Sequence, residues 1–188
     1  DRKDRDGSPS AAILDSQSTR SSPQGGDSGF DAGKKVKGRK RSLIVDTLGL
    51  LLAVSISAAS VQDRDAADDA VAYSKEKYPS LNTLFVDSAY AGKWAQRMHQ
   101  THAVDVQVVR GPNNRRTGQW CSQQGDLFTV APPKTGFVVR PKRWVVERTH
   151  AWNERARRLI MHHDRLFAVS EAWVWLAEAR MLARRLMT

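Results

Sequence analysis

Apolar and polar positions along this chain switch between a period of two and a helical period. Residues 11–14, AAIL, form a short apolar run that stops at Asp15, the pattern of a buried strand delivering a carboxylate at its C-terminal end. SLIVDTLG and LLAVSISAAS are enriched in β-branched and apolar residues and predict a hairpin, with Asp46 as a turn residue before TLG. Asp63, Asp65, Asp68 and Asp69 mark a helix start, where negative charge suits the helix dipole, and that helix ends before Pro79. LNTLFVDSAYAG predicts the next strand, ending at Asp87. Gly92 allows a sharp turn into the helix KWAQRMHQTH, and VDVQVVR predicts a further strand. A helix begins near Val145, and a last one covers roughly 168–186, with apolar residues at helical spacing and Arg on the other face. The order is strand, hairpin, helix, strand, helix, strand, loop, helix, helix. It predicts an α/β domain with a mixed sheet and no internal repeat.

The segments between these elements carry their own signals. Residues 1–10 are charged, contain Gly and Pro, and read as a linker from a missing N-terminal part. Residues 11–188 read as one domain. Residues 16–41 are Gly/Ser-rich and then densely basic, and predict a long exposed loop. Its basic run is Lys34, Lys35, Lys37, Arg39, Lys40 and Arg41, either a solvated tail or a phosphate-contacting strand edge. Gly33 and Gly38 permit close backbone approach and favour phosphate contact. Residues 111–136 form a long polar loop with Gly and Pro punctuation. The most apolar run, Leu43 to Val61, is interrupted by Asp46, Gly49 and four Ser or Thr residues. A membrane span wants roughly 20 mostly apolar residues, so this run reads as two strands.

Composition then narrows the partner. The 188 residues are 40% hydrophobic and 27% charged, enough for one domain with a sizeable core. A formal net charge of +10 favours a polyanion, either nucleic acid or an anionic membrane surface. The one cysteine, Cys121, excludes an internal disulfide, and no Cys/His cluster has zinc-finger spacing. A reducing cytosol fits. His162 and His163 are adjacent and do not share a helix face; neither they nor His102 read as catalytic. Trp94 and Trp152 read as packing residues, and Trp173 and Trp175 as core or an oligomer face.

The chemistry lies in three acids. Two apolar strands end in Asp15 and Asp87, and Glu147 opens the basic stretch KRWVVERTHAWNERARRLIMHHDR. In open α/β sheets, ligands gather at the carboxyl ends of strands. Neighbouring strands place Asp15 and Asp87 side by side, and a helix packed across that edge brings Glu147 to them. Clustered carboxylates repel unless a cation neutralises them, and hard oxygen ligands favour Mg²⁺ or Mn²⁺. Two such ions suit phosphoryl transfer. Arg143, Arg148, Arg155, Arg157 and Arg158 are candidates for phosphate contact, and His150, three residues after Glu147, is within reach of substrate.

Four segments carry a resemblance: AAILDSQSTR, DAGKKVKGRKRSLIVDTLGLLLAVSISAASVQDRDAA, LFVDSAYAG and GFVVRPKRWVVERTHAWNERARRL. In this order they resemble the catalytic domain of DDE transposases from bacterial insertion sequences, closest to an IS-five-like group. The likeness runs from about residue 11 to the C-terminus. It implies a ribonuclease-H-like fold and metal-dependent cleavage and strand transfer at transposon ends. The first family Asp falls on Asp15 in LDSQS, the second on Asp87 in VDSAYAG, and the Glu on Glu147 in WVVERT. Arg143 matches the family's Arg. Arg140 stands where a Tyr is expected, Glu154 where a Lys is expected, and Ser and Ala replace a common glycine pair in VDSAYAG. The resemblance further implies two Mg²⁺ or Mn²⁺ ions, double-stranded DNA as transposon ends and target, a homodimer assembled on DNA, and a bacterial cytoplasmic, nucleoid-associated setting without a membrane. Two other readings stay open. A catalytically inactive DNA-binding fragment neither cuts nor joins, and a metal-dependent nuclease of the same fold only cuts.

Overall fold

The computed structural model describes residues 7–23, 26–109 and 143–187. Its central strand is β1 (Ala11–Arg20), which has antiparallel pairing on one edge and parallel pairing on the other. On the antiparallel side lies β3 (Val36–Asp46), whose far edge is shared by the short β2 (Gly29–Asp31) and by β4 (Leu51–Ala58). On the parallel side lie β5 (Thr83–Val86) and then β6 (Asp105–Val108). The connections are α1 (Asp63–Lys77) between β4 and β5, and α2 (Lys93–His102) between β5 and β6. Helices α3 (Arg143–Asn153), α4 (Arg157–Ile160) and α5 (Phe167–Met187) follow. Antiparallel strands feeding parallel ones, with helices on both faces, make this the ribonuclease-H-like mixed sheet expected from the element order.

Strand alternation divides the core in two. Ala12, Leu14, Ile44 and Leu52 pack against Ala67, Ala70 and Val71 of α1 and Trp94 and Met98 of α2. Ile13, Leu43, Val45 and Phe85 pack the other way, against Val145 and Val146 of α3, Leu159 of α4 and Val174 of α5. The hairpin from β3 to β4 turns where expected. Asp46 Oδ1 accepts from the backbone N–H of Leu48 and of Leu50, each at 2.8 Å, and Gly49 supplies a φ of 84°. Trp94 is buried and donates to Asp68 Oδ1 at 2.7 Å, a packing role as read from the sequence.

The expected loop over residues 16–41 is corrected. Residues 16–20 continue β1, and Val36 already begins β3. The apolar run stops at Asp15. The ladder does not stop: Asp15 pairs with Leu43, and pairing continues to Arg20 opposite Gly38. Gly38 is required at that crossing, since a Cβ would collide with the Thr19 carbonyl. From Lys37 the basic run is therefore strand, with Lys34 and Lys35 in the turn before it, and the strand's side chains alternate. Arg39 and Arg41, both 0% exposed, point to the α4–α5 side; Lys40 points to α1, where it pairs with Asp63. Arg39 donates to the carbonyl of Asp27 at 2.9 Å, to that of Arg165 at 2.7 Å and to Ser170 Oγ at 2.9 Å, with its guanidinium 4.8 Å from the Phe167 ring centre. Arg41 donates to the Leu159 carbonyl at 2.9 Å.

The basic helix starts two residues before Val145, at Arg143. It ends at Asn153, where Arg155 N–H and Ala156 N–H bond back three residues, to Trp152 O and Asn153 O. Farther on, His162 forms a bridge beside Ser21, its N–H donating to Arg20 O and its carbonyl accepting from Ser22 N–H, each at 2.8 Å. That pairing holds the chain extended past the end of β1. On α5, Glu178 is buried beside Asn153, and burial pushes its carboxyl up to about 7. A carboxyl raised above its unfolded value binds protons more tightly when folded, so stability falls as pH rises from about 4.5 towards 7. Thermal melts of wild type and Glu178→Gln across that window should show the wild type losing ground steadily. The expected calls on 1–6, on the polar loop 111–136, on Cys121 and on 137–142 lie outside the described residues. Among the described residues, no helix is long and apolar enough to cross a membrane.

Candidate active site

Asp15 and Asp87 occupy matching positions on neighbouring parallel strands. The β1–β5 register ends with Ile13 beside Phe85, and each aspartate lies two residues further on. β5 stops at Val86, whereas β1 continues, so the sheet opens at this point. Asp87 Oδ1 accepts from Ala89 N–H at 2.8 Å and caps the 3₁₀ turn Ser88–Tyr90. Tyr90 and Trp94 behind it meet edge to face at 5.1 Å, which fixes the backbone that carries Asp87.

Helix α3 crosses this opening and presents Arg143, Glu147 and His150 from one face, at spacings of four and three. Arg143 Nη2 donates to Asp15 Oδ1 at 3.2 Å and lies 3.7 Å from Glu147 Oε1. His150 Nε2 is 3.8 Å from Asp15 Oδ2, beyond hydrogen-bond reach. From the other side Lys34 Nζ donates to the Ser16 carbonyl at 3.0 Å. The Asp15 side chain is 18% exposed and that of Glu147 is 53% exposed. Burial raises the Asp15 carboxyl to about 6; Arg143 opposes the rise, Asp87 adds to it, and Lys34 opposes it. Burial, then Arg41 and Lys34, hold His150 down to about 3, so the ring is neutral at pH 7.

The expected residues therefore divide. Asp15 and Asp87 come together at one sheet edge, and α3 brings Glu147 to the same place with Arg143 between it and Asp15. Among the described residues no three acids, histidines or cysteines converge closely enough to form a metal-holding group. The donor chemistry nonetheless fits a divalent cation. Asp15 is an acid pushed up by burial and by a second acid, and a guanidinium already stands where positive charge is wanted. Of the expected DNA contacts, Lys34, Lys35 and Lys37 are exposed around the β2–β3 turn. Arg39, Lys40 and Arg41 are buried and bonded internally. Arg148 is half-buried, donates to Leu48 O at 2.7 Å and lies between the rings of Trp144 and Trp152. Arg155 and Arg158 are exposed, beyond the end of α3, with the Arg158 guanidinium 5.2 Å from the Trp173 ring.

His150, a minor candidate for substrate contact, is buried, with Nε2 3.8 Å from Asp15 Oδ2. Gln17, which donates to Glu154 Oε1 at 2.5 Å, was not singled out. Extending the period of two from Ile13 through Asp15 reaches Gln17 on the same α3-facing side, a signal the run of polar residues hid.

Asp15 on β1, Asp87 just past the end of β5 and Glu147 on α3 thus meet at one edge of the sheet. The family model described as the transposase DDE domain matches residues 6–182. The chain belongs to that family, whose members are enzymes of DNA transposition. A search among curated proteins gave no match.

Proposed function

We propose that this chain is a DNA transposase that cleaves phosphodiesters at transposon ends and transfers the freed 3′-OH into target DNA. The observation that carries the proposal is that Asp15 and Asp87 each lie two residues past the last β1–β5 pair, with Glu147 brought across by α3. These three carboxylates would hold Mg²⁺ or Mn²⁺, as two ions. Bound there, the ions would supply Lewis-acid activation of water and would neutralise charge on the phosphoryl oxygens. The chain's own residues place the DNA. Arg143 offers a planar guanidinium suited to a phosphate, and the exposed Lys34, Lys35 and Lys37 track the backbone beside Asp15. Arg148, Arg155 and Arg158 extend that path along the helical side, whereas Arg39, Lys40 and Arg41 are best treated as structural. Water attacks the phosphodiester at the end and releases a 3′-OH; that hydroxyl then attacks a target phosphodiester and displaces a target 3′-oxygen. We assign the chain to the IS-five-like group of bacterial insertion sequences. It works as a homodimer on DNA, at the nucleoid, because two ends must be held together.

Incubation with an end-labelled duplex and a plasmid target tests the reading. Metal-dependent joining supports it, cutting without joining makes the chain a nuclease, and neither product makes it an inactive DNA-binding fragment. Replacing both Lys35 and Lys37 with Ala should weaken duplex binding equally across sequences. It should reduce the salt dependence of log K by about 2, one per phosphate contact, and leave Tm unchanged. Fluorescence anisotropy at several salt concentrations checks it.

A further inference from the structure

The Arg143 guanidinium occupies an unusual position for a DNA contact. Its Nη2 lies 3.2 Å from Asp15 Oδ1 and 3.7 Å from Glu147 Oε1, two of the proposed metal ligands. The side chain is only 10% exposed, and its Nε is buried with no hydrogen-bond partner. Glu147 is one helical turn after Arg143, so α3 alone keeps these two together whatever the sheet does. Among the described residues, the guanidinium that bonds Asp15 is that of Arg143, and Lys34 Nζ donates instead to the Ser16 carbonyl.

We infer that the Arg143 guanidinium is a resident counter-ion of the metal-free site, which a divalent cation displaces and a DNA phosphate draws away. The inference rests on the functional reading above, in which Asp15 and Glu147 are metal ligands. Its physical content is a competition. One guanidinium and one divalent ion repel each other if both lie against Asp15. A phosphodiester offers the guanidinium an alternative bidentate partner. Loading of the ion and binding of DNA are therefore coupled through one side chain. Linkage makes the coupling reciprocal, so each ligand tightens the other by the same factor. The device keeps the site from filling until substrate is present.

Mn²⁺ titrations followed by electron paramagnetic resonance test this without reference to turnover. They are run on the full chain with and without a short duplex, subtracting a DNA-only titration. Without DNA, Arg143→Gln should bind Mn²⁺ about tenfold more tightly than wild type. Adding DNA should tighten wild type strongly and the variant much less. Arg143→Lys, which keeps the charge on a shorter arm, should fall between them. Equal or weaker binding by Arg143→Gln without DNA overturns the inference. If the variants do not fold, wild type alone still decides: no tightening on adding DNA overturns it. Asp15→Asn separates this failure from failure of the functional reading. Loss of Mn²⁺ binding in Asp15→Asn, with no gain in Arg143→Gln, keeps the metal site and removes the counter-ion. Unchanged binding in Asp15→Asn removes both.

Discussion

Asp15→Asn abolishes end cleavage and strand transfer together, by on the order of a thousandfold or more. Both reactions use one set of ligands, and an amide supplies no charge to hold a cation. Stability moves little, because the native carboxylate is itself disfavoured. Burial and Asp87 raise its pKa to about 6, and the pair with Arg143 only partly compensates. The amide keeps a hydrogen-bond acceptor for Arg143 and leaves Glu147 as the arginine's charged partner. A gel assay on a labelled duplex, run with a thermal melt of the same preparation, separates the effects. Loss of activity with an unchanged Tm is expected. A fallen Tm would make Asp15 structural.

Arg39→Met has the opposite signature. It removes the donors that satisfy the carbonyls of Asp27 and Arg165 and the hydroxyl of Ser170, which together bind β3 to the start of α5. Hydrogen bonds from a charged donor contribute about 1.5–3 kcal/mol each, and the Ser170 hydroxyl is left buried without this donor. The variant should therefore lose about 3–5 kcal/mol, a fall in Tm of roughly 10 °C for a domain of this size. DNA affinity of the folded fraction should be unchanged. Chemical denaturation and anisotropy together check this. Full stability with weakened DNA binding would return Arg39 to the DNA-contacting surface.

These two residues show what the sequence makes legible. Leu84 to Val86 followed by Asp87, and Gly92 with a φ of 83° ahead of Lys93, are local signals, and β5 and α2 follow them closely. The mixed sheet was legible for the same reason. Arg39 and Arg41 were not, because charge is normally a sign of exposure. What buries them is a set of backbone carbonyls more than a hundred positions away, at Leu159, Arg165 and Leu166. The end of α3 was hidden likewise: Ala, Arg and Glu favour helix locally, yet the chain turns after Asn153 into the short α4 before the bridge between Ser21 and His162. The candidate site lies between these cases. Strand ends pointed to Asp15 and Asp87 and the resemblance to Glu147, but no spacing rule placed Arg143 between two of the acids or put His150 behind one of them.

Calorimetric titration of Mn²⁺ into the chain bound to a DNA duplex, with wild type and Glu147→Gln side by side, tests the central claim most directly. The account predicts clear binding to wild type and lost or clearly weakened binding to the variant, with similar Tm values for both. Equal binding in the two proteins, or binding in neither, would contradict it and leave Glu147 as the exposed partner of a surface ion pair.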